Sequence, residues 1–222
     1  LKDAEKKLTE FSNTLNARLS EEEIKQVQIH YSLYKGEPSQ IINAVNDQFN
    51  PFLTVIGTGW KYDKQGVFIS DEATEIIENS HYPVLTVPKS VLSPGDQLNI
   101  MYATNFNESD NTSLNTLLKI TEPFDKKIRC IHIDFETDPL KHEKINELND
   151  MLKENYSEHQ IQCDLFVMKD LLKGFEEYIK KNNINLVSFS SPKRNIVYKI
   201  FRTNKLKKMV SASKVPMLIF RV

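Results

Sequence analysis

The chain has 222 residues, with 40% hydrophobic and 27% charged side chains and a formal net charge of −1. That is the composition of a folded globular protein and excludes collagenous, disordered and disulfide-scaffold classes. The near-neutral charge gives no general attraction for nucleic acid or an anionic membrane, and no apolar run nears the roughly 20 residues that span a bilayer, so neither is expected as a partner.

In chain order, Lys2–Arg18 predicts a helix with a charged face and no signal-peptide core. Lys25–Tyr34 alternates apolar and polar residues and predicts a strand. Pro38–Gln48 predicts a helix with Ile41, Ile42 and Val45 inward. Phe52–Thr58 predicts a strand, Asp71–Asn79 a helix and Pro83–Pro88 a strand. Leu98–Phe106 then reads as an apolar strand, and Glu108–Phe124 as a helix with Leu114, Leu117, Leu118 and Ile120 on one side. Lys127–Asp134 predicts a strand and Pro139–Tyr156 a helix opened by proline. Ile161–Met168, Leu186–Ser191 and Pro216–Val222 predict strands, separated by helices over Asp170–Asn182 and Asn204–Ser213. Strands alternating with helices of this length predict an α/β fold, a parallel sheet covered on both faces.

The chain also resembles itself. At an offset of 133 positions, Leu53–Val87 meets Leu186–Phe220 without a gap: Leu53 falls on Leu186, Phe68 on Phe201, Ser80 on Ser213, Pro83 on Pro216 and Leu85 on Leu218. This divides the chain into two doubly wound units, an incomplete one at 1–92 and a complete one at 93–222. Carried to the start, the offset puts Leu1 just after the second strand of the complete unit. The first unit would then lack strand, helix and strand, on the order of 40 residues. With no initiator Met, the expectation is a longer natural protein whose N-terminal segment was cleaved or omitted.

Three pieces carry a family resemblance: Leu53-Thr54-Val55-Ile56-Gly57-Thr58-Gly59, then Ser70–Asn79, then His81-Tyr82-Pro83-Val84-Leu85-Thr86-Val87-Pro88. In that order they resemble the C-terminal signature of universal stress proteins, a strand ending in Gly-Thr, a loop, a helix and a final Pro-Val-Leu-Val strand. Asn185–Val222 resembles it again, and Leu98–Phe106 is similar to the family's opening strand. The resemblance implies strand order 3-2-1-4-5 in each unit. It also implies association of the units through their last strands, Pro83–Pro88 against Pro216–Val222.

Many universal stress proteins bind ATP through a G-x2-G-x9-G-[S/T] pattern. Its glycines let the backbone approach the phosphates, and a helix N-terminus offers free N–H groups and a favourable dipole. The ligand sits outside the strand ends where the sheet order reverses. In the first unit the spacing lands on Gly57, Trp60, Ser70 and Asp71, so one glycine survives and an aspartate repels phosphate where a hydroxyl is wanted. In the second it lands on Ser190, Lys193, Thr203 and Asn204, with no glycine, and the acidic residue ending strand one is replaced by Asn105. A degenerate nucleotide site therefore has Gly57, Thr58, Ser70, Asn105, Ser190, Ser191, Lys193, Thr203 and Asn204 as its candidates. The last five groups of the second unit keep hydrogen-bonding capacity but not the close backbone approach.

Other features read blandly. Cys130 and Cys163 lie in apolar runs and are expected as reduced core thiols, which favours a cytoplasmic protein. His30, His81, His132, His142 and His159 show no metal-ligand spacing, and no metal is expected. The basic stretch Lys193–Lys208 reads as a solvated helix face, Trp60 and Tyr62 as cover for a sheet edge, and Asp134, Glu136 and Asp138 as loop solvation. No catalytic residue is assigned, and no cofactor is expected, with ATP as the alternative. The resemblance implies a stress-response role through binding a ligand or a protein partner, including a second copy. An adenine-nucleotide binder with weak ATPase activity is the alternative.

Overall fold

β-branched and apolar runs too short for helices, separated by amphipathic stretches, decide the architecture. A computed structural model describes residues 2–19, 26–58, 61–63, 66–68, 71–88, 97–104, 109–134, 139–159, 161–167, 171–190 and 215–221. The first part contains α1 (Lys2–Asn16), α2 (Pro38–Phe49), β1 (Thr54–Thr58), β2 (Lys61–Asp63), β3 (Gly66–Phe68), α3 (Asp71–Asn79) and β4 (Val84–Pro88). The second contains β5 (Gln97–Thr104), α4 (Ser109–Ile120), β6 (Asp125–Asp134), α5 (Pro139–Asn155), β7 (Gln162–Val167), α6 (Leu171–Lys181), β8 (Leu186–Ser190) and β9 (Met217–Phe220). The helix expected over Asn204–Ser213 lies outside the described residues.

Seven strands form one sheet in the order β1-β4-β9-β8-β5-β6-β7. All neighbours are parallel except β4 and β9, which run antiparallel with Leu85 opposite Leu218. The parallel pairs flanking that junction share one register. Thr54 opposite Val84 is matched by Val187 opposite Met217, each 133 positions later, and Gly57 opposite Val87 by Ser190 opposite Phe220. β2 and β3 form a separate antiparallel hairpin where the sequence predicted only a loop.

Helices cover both faces. On one, Ala73, Ile76 and Ile77 of α3 and Phe175 and Tyr178 of α6 pack on Val84, Met101, Val187 and Ile219. On the other, Leu114, Leu117 and Leu118 of α4 and Ile145 and Leu152 of α5 pack on Ile100, Tyr102, Leu186 and Leu218. β8 and β9, in the middle of the sheet, are buried at every residue, while the edge strand β7 is exposed at Gln162, Asp164 and Val167. Cys130 and Cys163 face each other across β6 and β7 as free buried thiols with Sγ atoms 2.9 Å apart. Burial, and next the Cys163 thiol, holds Cys130 well above the usual thiol range, which keeps it protonated and unreactive.

The strand expected over Lys25–Tyr34 is corrected: residues 27–34 carry no ladder. Its alternation is real, but it pairs with no described strand. Val27, Tyr31, Leu33 and Tyr34 are accordingly exposed. β1 likewise pairs on one side only, with β4, among the described residues.

An asparagine stands in for a strand residue at the mouth of β8. The Asn185 side chain accepts from the Asn99 N–H at 2.8 Å and donates to the Gln97 carbonyl at 2.8 Å, and its backbone N–H donates to Asn99 O at 2.9 Å. Asn185→Ala leaves one β5 donor and one acceptor without these partners. It should lower unfolding free energy by about 1–3 kcal/mol, read from urea denaturation. A loss of only a few tenths would mean that water replaces both bonds.

Candidate functional site

The connection from β5 leads to β6 on one side, and β8 is followed in the chain by β9 on the other. The carboxyl ends of β5 and β8 therefore flank the point where the sheet order reverses, the place where open α/β sheets form a crevice. Thr104 ends β5, Ser190 ends β8, and Asp110 stands in the first turn of α4.

These residues form one buried polar knot. Thr104 Oγ1 donates to Asp110 Oδ2 at 2.6 Å, and Ser190 Oγ donates to Oδ1 at 2.6 Å. The Tyr102 hydroxyl donates to Oδ1 at 3.0 Å and lies 3.3 Å from the Asp110 carbonyl. Strand alternation explains why they meet. Tyr102 and Thr104 on β5, and Ser188 and Ser190 on β8, are two residues apart and point to the face that α4 covers. The α4 N-terminus in turn favours a carboxylate in its first turn.

Burial, then the Asp110 charge and the hydrogen bond to it, push the Tyr102 hydroxyl far above the ordinary tyrosine range. At the rim, His132 Nδ1 lies 2.9 Å from the Thr104 carbonyl oxygen, which can only accept, so Nδ1 carries the proton in that bond. Beneath α4, Ser113 and Ser188 are buried with hydroxyl oxygens that have no hydrogen-bond partner. As small residues they let α4 approach the sheet closely.

Of the sequence-predicted candidates, Ser190 lies in the knot with its Oγ committed to Asp110 rather than to the crevice. Gly57 occupies the matching position on β1, exposed, with nothing within 4 Å of where a Cβ would stand. Thr58 ends β1 opposite Pro88. Ser70, Asn105, Ser191, Lys193, Thr203 and Asn204 lie outside the described residues, as do Trp60, Glu136 and Asp138. Sequence reasoning missed Tyr102, Thr104 and Asp110. The available signal was two hydroxyl residues at alternate positions ending an apolar strand, with an acid six residues beyond.

Asp110→Ala would strand three hydroxyls in the interior and should cost roughly 2–5 kcal/mol in denaturant unfolding. Tyr102 contributes a pH dependence of definite sign. Its folded form favours the protonated phenol, so that stability is intact below the unfolded value of about 10 and is lost as pH rises beyond it. Alkaline unfolding should therefore be shallower in Tyr102→Phe than in the parent; equal slopes would show that the phenol ionises freely in the folded chain. Gly57→Ala should leave the melting temperature unchanged or slightly raised, since no neighbour meets the added methyl.

No protein-family model and no curated protein sequence matches the chain. Solved structures do. A universal stress protein from Archaeoglobus fulgidus DSM 4304 superposes with a TM-score of 0.64 at 15% identity, over 99% of this chain and 76% of that one. A Pseudomonas aeruginosa UCBPP-PA14 protein, provisionally classed as a universal stress protein, gives 0.63 at 12% identity, over 94% and 76%. A functionally unknown protein from Pseudomonas aeruginosa PAO1 gives 0.58 at 12% identity, over 86% and 69%. With a parallel sheet clothed by helices on both faces and a likeness that spans nearly all of its length, this chain has the fold of the universal stress proteins.

Proposed function

We propose that this chain is a non-catalytic binding module of the stress response that holds a ligand or a protein partner without the usual ATP loop. The observation that carries this reading is the Asp110 knot at the β5–β8 crevice. The position beside the α4 N-terminus that would attract an anion is filled by the chain's own carboxylate. The hydroxyls of Tyr102, Thr104 and Ser190 that could meet a ligand are bonded to it instead. A phosphate brought there meets like charge and no glycine at the end of β8. Support for the stress role is the likeness of fold, a warrant of analogy.

A protein-contact mode has its own support. Among the described residues β1 pairs on one side only, with Val55 59% exposed, and Phe11, Tyr31 and Leu33 are also exposed. Unpaired edge groups and apolar side chains of this kind invite a further strand or helix from another molecule, whether a second copy or a different protein. A cytoplasmic setting belongs to the same proposal, and no described helix is long and apolar enough to cross a membrane.

The second reading is an adenine-nucleotide binder with weak hydrolysis. One observation favours it: Gly57, one residue before the end of β1, is exposed with nothing within 4 Å of where a Cβ would stand, the condition for close backbone approach to phosphate. Calorimetric titration of the whole chain with ATP and magnesium separates the two. The binding-module reading expects no saturable heat up to millimolar nucleotide. Saturation at one site per chain would overturn it in favour of the nucleotide reading, in which Gly57→Leu must then abolish the heat.

A further inference from the structure

A cavity of about 430 Å3 lies where the first and second parts of the chain meet, and it shares no residue with the Asp110 knot. One wall is the segment Asn50–Phe52, which is pinned at both ends. Asn50 closes α2 in the left-handed conformation at φ 48°, which asparagine tolerates well, with its N–H on the Asn46 carbonyl. Its Oδ1 accepts from the Tyr82 hydroxyl at 2.8 Å, and just beyond the wall the Thr54 N–H donates to the Pro83 carbonyl at 2.9 Å. The opposite wall is the flank of α4 carrying Thr112, Ser113 and Thr116, and Phe220 with Arg221 closes the end.

Two features point to a ligand and to its chemistry. Among the described residues, Arg221 is the one charged residue lining the space; no carboxylate lines it, and Arg221 forms no ion pair. Phe52 presents an aromatic side chain that is 61% exposed, so a flat apolar body laid on it would remove that surface from water.

We infer that this cavity binds a small organic acid, a carboxylate carried on a compact aromatic or branched apolar body. The Arg221 guanidinium takes the carboxylate through paired N–H donors. Phe52 and the two prolines that line the space, Pro51 and Pro83, receive the apolar part. The volume falls within the range of small-molecule sites, and the pinned wall means little ordering is needed on binding. The inference rests on the ligand-holding branch of the proposed function and is independent of the crevice.

The test uses 2-naphthoate as probe, titrated calorimetrically into the whole chain, with neutral 2-naphthamide beside it. Saturable binding at one site per chain is expected, with the amide weaker by about ten-fold or more. Arg221→Gln should weaken naphthoate by a similar factor and leave the amide unchanged, and Phe52→Ala should weaken both. Both side chains are at least partly exposed, so these variants test the site without removing the core. No saturable heat with naphthoate at millimolar concentration, or equal affinity in Arg221→Gln and the parent, overturns the inference. Either result leaves the protein-contact branch standing, because that branch rests on the β1 edge, and the outcome with ATP is read separately.

Discussion

The antiparallel junction of β4 and β9 is the contact on which the rest depends. Without it, β1 and β4 would be a two-stranded parallel sheet, which cannot bury enough surface to persist alone. With it, they extend a seven-stranded sheet, and Val84 enters the same core as Val187, Met217 and Ile219. The junction also turns the first part round, so that α3 lands on the sheet face that α6 already covers. Leu85 opposite Leu218 marks the centre of that arrangement. The two residues are 133 positions apart, the same offset at which the flanking parallel ladders repeat their register.

A second constraint acts at right angles to the first. β8 is buried at every position, yet three of its five residues, Ser188, Phe189 and Ser190, include two hydroxyls. An interior strand holding polar groups is tolerated when they are small and find partners. Ser188 is small but its hydroxyl has no partner, whereas Ser190 finds Asp110, and so do Tyr102 and Thr104 from the neighbouring strand. The carboxylate thus ties the ends of two strands to the first turn of the helix above them. A site usually left open for a ligand is stiffened internally by the chain itself, at the same point of the sheet.

Much of the fold was legible because hydrophobic period reports burial. The apolar run 98–106 and the helical stripe of Leu114, Leu117 and Leu118 appear as β5 and α4 within a few residues of their expected limits. The same logic misled over 25–34. Alternation reports a segment able to lie half-buried on a sheet, whereas a strand also needs a neighbour, and sequence period carries no information about that. The hairpin of β2 and β3 escaped for the opposite reason: its arms, Lys61–Asp63 and Gly66–Phe68, are three residues each, too short to show a period. At the site, glycine spacing was readable, but Asp110 was not, since an acid in a helix's first turn is ordinary capping chemistry until the fold brings three hydroxyls to it.

Gly57 and Ser190 hold corresponding places, each paired with the fourth residue of its partner ladder, and yet they have opposite fates. Ser190 is 1% exposed and bonded to an aspartate supplied by the helix that follows β5. Gly57 is exposed, with nothing within 4 Å of where a Cβ would stand, on a strand that pairs on one side only among the described residues. The backbone register is common to both positions, so the difference in chemistry comes from what the sheet places beside each strand. In a fold built of repeated ladders, the glycine or hydroxyl at a strand end therefore has no fixed meaning. Its role is set by what the sheet places beside it, and the ladder itself leaves that role open.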